Sequence, residues 1–373
     1  MTYDNTTDFP GIKLEVERTT VSVHIENVKK ALEFNKPDYL PMETNNVPGI
    51  YNAYHTLDPD EVELIPGTEN FDAIWPLCYS WVPKVIGKTE KGEPLRKDQF
   101  GVITSVPDNM NTTFNLIGHP LEGKTTLEGY EFPDIEDLNP WFDNFGKIVK
   151  EKYSDRFVDA FIDAGIFLTT QFLFGINDFF MKLATNLDFV VEVYANVAEY
   201  YIQMVKKFKE TGAHQVTVIE DLGSNAGLVL NPDVWRTHFK PITAKVFKTI
   251  HEHGMYTGIC IDGDAKPVLD DLLEMEIDQL FIPDYKVTGV KTLKEKIIGK
   301  MCFKATVDMV GTLPLGTPDD VKKEVKEMVQ AFNSPEGGFI CEVVRWHRPA
   351  YPENNVRASV DTFNEWRKNA PQY

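Results

Sequence analysis

The residues best equipped for chemistry stand at the ends of apolar, β-branched runs. VTVIEDLG ends on Glu220 and Asp221, GICIDGD on Cys260 and Asp262, LFIPD on Asp284, ATVDMVG on Asp308, and GGFICEVV on Cys341 and Glu342. On an extended strand, residues two apart share a face, so Cys260 and Asp262 could hold one cation together. Cys341 or Glu342 could complete that site, and alternation lets only one of the two join it with ease. A zinc-bound thiolate at such a site would be a nucleophile at neutral pH. The same carboxylates, Glu220, Asp221, Asp262 and Glu342, could instead act as general acids. Two plainer roles compete: carboxylates at these places cap the following helix, and cysteine packs as a small buried hydrophobe. No CxxC or HExxH spacing favours the metal.

A different cluster, Arg345-Trp346-His347-Arg348, concentrates cations and an aromatic ring in an acidic chain. Arg345 with His347 is expected to orient a substrate, because guanidinium groups bind carboxylates in a fixed fork. Asp308 is expected to face the same substrate. GIFLTTQFLFGINDFF supplies aromatic side chains that are mostly core, with Phe174 expected to line an apolar pocket.

The segments that must carry these residues alternate in type. Residues 215–220, 256–262, 279–282, 301–307 and 338–344 read as strands; residues 187–210, 232–253, 265–276, 292–296 and 318–332 read as helices. The helix over 187–210 stops before Gly212, and the one over 232–253 has Asn231 as N-cap, Pro232 at its first position and Gly254 at its end. Residues 157–170 alternate loosely. Short connections and nearly continuous apolar strands imply a parallel sheet covered on both faces. No GxGxxG opens a helix and no GxxxxGK[ST] occurs, which weakens a dinucleotide or phosphate-loop fold. An α/β (β/α)8 TIM barrel is favoured, with function at the C-terminal ends of its strands. The first third differs: a helix over 25–34, a short strand near 39–42, a hairpin in GKTEKGEPLRKDQFGV and a strand over 100–106 precede the regular part. One domain over 1–373 is expected, with 45–140 as an irregular region capping the barrel mouth.

The chain has 38 Lys+Arg against 57 Asp+Glu, a net charge of −19. That balance argues against a nucleic-acid footprint or an anionic membrane surface. The longest uncharged apolar stretch, 164–177, is too short and too polar for a span of roughly 20 residues. MTYDNTTDFPGIKLE lacks the basic head and apolar body of a signal peptide. Cys78, Cys260, Cys302 and Cys341 are scattered, so a reducing cytoplasm is the expected setting.

The chain resembles the uroporphyrinogen decarboxylase superfamily, and within it the corrinoid-dependent methyltransferase branch. VKKALEFNKPDYLPM, DQFGV, FPDIEDL, GAHQVTVIEDLGSNAGLVLNPDVWRTHFKPI, GDAKPVLDDLLEMEIDQL, GTPDDVKKEV, GGFICEVV and PENNVRA carry the resemblance, in that order along nearly the whole chain. It implies the (β/α)8 barrel. True decarboxylases of this family have an arginine-rich RQAGRY motif for an acidic porphyrinogen, and METNNVPGIYNAYH stands in that place here without arginine. The zinc methyltransferases have an HxCG motif. Aligned on Gly263, Cys260 takes the histidine place and Asp262 the cysteine place, while the third ligand's place falls near Arg345. The resemblance therefore implies a methyltransferase of anaerobic one-carbon metabolism, moving a methyl group between a small molecule and the cobalt of a separate corrinoid protein. A methoxylated aromatic (O-demethylation) is preferred and methyltetrahydrofolate is second. A zinc-dependent methylcobalamin:thiol methyltransferase and a decarboxylase-type lyase are the alternatives. No DxHxxG corrinoid motif occurs in this chain, so the cobalamin would be carried by the partner; zinc and a homodimer are left open.

Overall fold

The computed structural model describes residues 22–44, 68, 71–74, 77–78, 84–105, 115–343 and 351–368. Its centre is a closed barrel of 8 parallel staves. These are β1 (Met42–Thr44), β2 (Ala73–Ile74), β3 (Phe157–Ile162), β4 (Gln215–Ile219), β5 (Tyr256–Cys260), β6 (Gln279–Phe281), β7 (Cys302–Ala305) and β8 (Phe339–Val343). Each pairs in parallel with the next, and β1 pairs with both β8 and β2, which closes the ring. Leu77–Cys78 extends the β2 stave along β3. Strands such as FVDAFI in β3 are buried at every position, as a sheet covered inside by its own side chains and outside by helices requires. Among the described residues no helix is long and apolar enough to cross a membrane.

The expected helix ends hold. Leu187–Glu210 stops where Gly212 takes φ +89°, and Pro318–Phe332 opens with a capping box between Thr317 and Asp320. Asn231 Oδ1 accepts from the Asp233 N–H at 2.8 Å, as an N-cap should. Some elements depart from the sequence reading. The helix expected over 232–253 contains a π turn at Trp235–Phe239 before Lys240–Glu252 resumes. Pro241 has no N–H to offer Thr237, so the ladder re-registers there. Residues 157–170 do not stay extended either: β3 ends at Ile162 and Ile166–Phe174 is helical.

Within 45–140 the described residues form an antiparallel sheet in the order Lys84–Lys88, Pro94–Lys97, Ile103–Ser105, Asn115–Gly118. The expected hairpin is present, with Gly92 at φ +88° in its turn. The strand expected over 100–106 shortens to 103–105, because Asp98 to Gly101 turns back on itself, Gly101 N–H donating to Asp98 O. This sheet lies on the flank of the barrel. Phe100 packs edge-on against Tyr200 of the long helix at 4.9 Å, and Tyr130 Oη donates to Phe100 O. Ala73–Ile74, within the region expected to cap the mouth, is instead the β2 stave of the barrel, paired with β1 and β3, and residues 45–67, 69–70, 75–76, 79–83 and 106–114 of that region lie outside the described residues.

Candidate active site at the barrel mouth

The barrel interior is polar at its floor. Lys304 of β7 is fully buried, its Nζ 2.8 Å from Glu43 Oε2 of β1 and 3.5 Å from Asp159 Oδ2 of β3, above the Phe281 ring at 4.8 Å. Asp159 Oδ2 also accepts from Gln215 Nε2 at 2.9 Å and Thr217 Oγ1 at 2.8 Å, and Gln215 Nε2 reaches Gln279 Oε1 at 3.0 Å. A side chain at position 258 would bring its Cβ 2.0 Å from Thr217 Oγ1, so the glycine of GICID leaves room for this layer. Burial pushes Glu43 up to about 7 against the pull of Lys304, and raises Asp159 as well. Burial opposes the charge on Lys304, but Glu43, Asp159 and Glu342 outweigh it and hold the ammonium protonated. Glu342 of β8 is fully buried within electrostatic reach of Lys304 and Cys260.

Above the floor, the C-terminal ends of β3 to β6 each release an aspartate: Asp163, Asp221, Asp262 and Asp284. Asp221 is pushed up to about 8, first by burial and then by the negative charges of Asp262, Asp163 and Asp284. Its Oδ1 is buried with no hydrogen-bond partner among the described residues. Asp262 is pushed up to about 6, by the protein atoms crowding it and then by Asp284, yet its side chain stays open to water. The Cys260 thiol is raised well above its ordinary value by burial, Asp262 and Asp221, and so is held as the thiol. Asp284 Oδ1 accepts the Gly263 N–H at 2.9 Å. Such a cluster retains a proton near neutral pH, on Asp221 first, with Asp262 placed to exchange with solvent.

The loops carrying Asp221 and Asp262 are in backbone contact. Asp264 N–H donates to Ser224 O at 2.9 Å. A Cβ on Gly223 would lie 2.1 Å from Asp262 O, and one on Gly263, at φ +81°, 2.6 Å from Ser224 N. The two glycines are what allow the aspartate-bearing turns to touch.

The structure sorts the residues singled out from the sequence. Asp221 and Asp262 come together at the mouth, with Cys260 beneath them. Glu220 is fully buried and its carboxylate is engaged, Oε1 with the Ile166 N–H at 2.8 Å and Oε2 with the Phe167 N–H at 3.0 Å; it anchors the helix that cuts short the extended run after β3. Burial pushes Glu220 up to about 8 in spite of those bonds. Asp308 Oδ1 accepts from the Val310 and Gly311 N–H groups at 2.9 Å each, and Oδ2 lies 3.6 Å from Lys286 Nζ. These bonds and the Lys286 charge overcome its partial burial and lower its pKa, so it stays charged and shapes the turn after β7.

Cys341 and Glu342 point to opposite faces, as alternation demands. Glu342 faces the interior, whereas Cys341 Sγ donates to Pro41 O at 3.2 Å in the packed layer outside, where burial pushes its thiol up. Among the described residues no group of three or more His, Cys, Asp or Glu side chains could hold a metal ion. Cys260, Asp262, Cys341 and Glu342 are therefore not brought together as a ligand set: Cys341 is turned away and Glu342 sits beside Lys304. Phe174 is fully buried among helices, edge-on to Phe189 at 5.3 Å, and is core rather than pocket wall. Arg345 and His347 lie outside the described residues. His251 bonds Asp278 Oδ2 at 2.8 Å, away from the mouth.

Sequence reasoning passed over Lys304, Asp159, Glu43 and Asp163. A lysine within MCFKATV and two aspartates four apart in FVDAFIDAG are charges inside apolar strand runs, and such residues are rarely buried without a partner. That was the available signal.

A parallel barrel with titratable groups gathered at the C-terminal ends of its strands is the architecture of an enzyme. The sequence matches the family model described as uroporphyrinogen decarboxylase (URO-D) over residues 115–366, and the chain belongs to that family. Among solved structures, a methyltransferase from Methanosarcina mazei superposes with a TM-score of 0.68 at 18% identity, covering 92% of this chain and 98% of the other. At that identity the likeness establishes the shared fold. A B12-independent methionine synthase from Shewanella sp. W3-18-1, in complex with selenomethionine, gives a TM-score of 0.48 at 10% identity over 88% of this chain and 98% of that one. No curated protein matches the sequence.

Proposed function

We propose that this protein is a methyltransferase that moves a methyl group between a small substrate and the cobalt of a separate corrinoid protein, with a methoxylated aromatic as the preferred substrate and methyltetrahydrofolate as the second. The observation that carries the reading is the aspartate cluster at the mouth, where Asp221 is pushed up to about 8 and Asp262 to about 6. Demethylating an ether breaks the O–CH3 bond. The oxygen keeps the bonding pair and needs a proton as it leaves, so a carboxylic acid that is still protonated near neutral pH suits the task. The partner's corrinoid supplies the reduced cobalt whose electron pair forms the new bond to carbon.

In this reading Asp221 donates the proton to the leaving oxygen and Asp262, open to water, restores it. Glu220 fixes the helix beside the mouth, and Asp308 shapes the β7 turn. Zinc is given no role, because the described residues do not converge as its ligands. The lyase reading is disfavoured by the same cluster: a polyanionic porphyrinogen would meet a wall of aspartates, while Lys304 below is already held by Glu43 and Asp159.

The test is a spectroscopic assay with reduced corrinoid protein and a panel of aryl methyl ethers and methyltetrahydrofolate. Methyl transfer should change the corrinoid spectrum while the free phenol or tetrahydrofolate accumulates. No transfer from any ether or folate would sink the proposal.

A further inference from the structure

The turn that follows Asp262 is gripped by the segment that leaves β6. Asp284 Oδ1 accepts the Gly263 N–H at 2.9 Å, and Thr288 Oγ1 donates to Gly263 O at 3.1 Å. The same hydroxyl accepts the Ala265 N–H at 3.0 Å. Both backbone groups of Gly263 are therefore satisfied by side chains of a different loop, where a turn ordinarily bonds within itself or to water. Thr288 ends the short helix Tyr285–Thr288 and is fully buried, as is Ala265. Lys286, between the two gripping residues, is engaged elsewhere, its Nζ 2.7 Å from Glu324 Oε2 and 3.6 Å from Asp308 Oδ2.

What the grip fixes is Asp262. Its N–H donates to the Asp221 carboxylate, a bond to the charged form that opposes the rise imposed on Asp221 by burial and like charge. A loose turn would weaken that bond and move the Asp262 side chain as well.

We infer that Asp284 and Thr288 are positioning residues for the methyl transfer proposed above, acting through Gly263 and Ala265 to hold the Asp262 turn against Asp221. The inference takes the reaction from that reading and the grip from the hydrogen bonds. The two residues differ in what they bring. Thr288 contributes geometry alone, whereas Asp284 adds a charge to those that face Asp221: Asp163 from β3, Glu220 beside it, and Cys260 and Asp262 from β5.

Steady-state kinetics against pH, with free cob(I)alamin and 2-methoxyphenol, tests this, with circular dichroism to confirm folding. Thr288→Val keeps the shape without the hydroxyl. It should lower kcat by roughly 10–100-fold with KM little changed, and should move the alkaline limb above its wild-type position near pH 8, because Asp221 loses the Asp262 N–H. Thr288→Ser should restore both. Asp284→Asn keeps an oxygen for the Gly263 N–H but removes the charge, so the limb should move the other way, down by roughly one pH unit. Asp284→Ala removes the bond too and should be slower than Asp284→Asn at every pH, which keeps the grip testable if Thr288→Val does not fold. A wild type that moves no methyl group would count against the proposed function only. The infrared carboxyl band of Asp221, assigned by its loss in Asp221→Asn, then decides the inference: it should titrate higher in Thr288→Val and lower in Asp284→Asn. A folded Thr288→Val with the wild-type kcat and pH profile, Asp284→Ala as fast as Asp284→Asn, or a band unmoved in both variants would overturn it.

Discussion

On the barrel floor, Glu43 and Asp159 close on one ammonium, and the amide and hydroxyl groups of Gln215, Thr217 and Gln279 take up hydrogen bonds around it. At the mouth, Asp163, Asp262 and Asp284 impose their negative field on Asp221, which keeps a buried oxygen with no hydrogen-bond partner among the described residues. Both layers contain buried carboxylates. The floor is organised by opposite charge and hydrogen bonds, so it serves stability. The mouth is organised by like charge, which costs stability and is retained where it raises proton affinity for chemistry.

Removing the cation from the floor is the strongest way to break this contrast. Lys304→Met leaves Glu43 and Asp159 buried without their counter-charge and should cost about 3–5 kcal/mol in urea unfolding. The deficit should grow from pH 5 to pH 8 as the stranded carboxylates are forced to ionise. A loss below about 1 kcal/mol would mean that the floor is no more dependent on charge balance than the surface is.

At the mouth the signs should reverse. Asp221→Asn should cut the catalysed rate by about 10²–10⁴-fold while leaving thermal stability unchanged or improved. Because Asp221 and Asp262 have folded-state values above the unfolded value of about 3.9, their contribution to stability is complete below that pH. It is lost as the pH rises through about 6 for Asp262 and about 8 for Asp221. The wild type should therefore lose stability between pH 4 and pH 8, and Asp221→Asn should flatten that slope. Activity that depends on protonated Asp221 should fall above about pH 8. A variant with the wild-type pH profile would remove Asp221 from the reaction.

Glu220→Gln gives a smaller effect of the floor's kind. It leaves one carbonyl oxygen where two carboxylate oxygens now meet the Ile166 and Phe167 N–H groups, and should cost about 1–3 kcal/mol with the activity loss following the stability loss. Cys341→Ala should cost least, about 1 kcal/mol for the lost packing, with kcat/KM unchanged. A collapse of activity there would return Cys341 to the site.

The barrel was legible in the sequence because parallel strands buried on both faces, such as QVTVI and GGFICEVV, read as apolar runs punctuated by Gly, Asn and Pro at helix ends. Residues at strand ends followed from the same periodicity, so Asp221 and Asp262 were already in view. Depth along the strand was not legible. Period-two alternation placed Cys260 and Asp262 on one face, but it could not tell that Cys341 would turn outward to Pro41 while Glu342 faced Lys304. The bonds of Glu220 were not legible for a related reason: adjacent residues leaving one strand take different paths, one to a helix N-terminus and one to the mouth. The π turn at Trp235–Phe239 depends on Pro241 acting on a ladder already formed, which local caps do not reveal.

The contact between the turns at Gly223 and Gly263 limits which residues these two positions can hold. With carbonyl oxygen and amide nitrogen standing where a side chain would begin, neither turn can accept a larger residue unless the other retreats. Gly223 and Gly263 are thus constrained as a pair, and a side chain at either would force apart the two turns that carry Asp221 and Asp262.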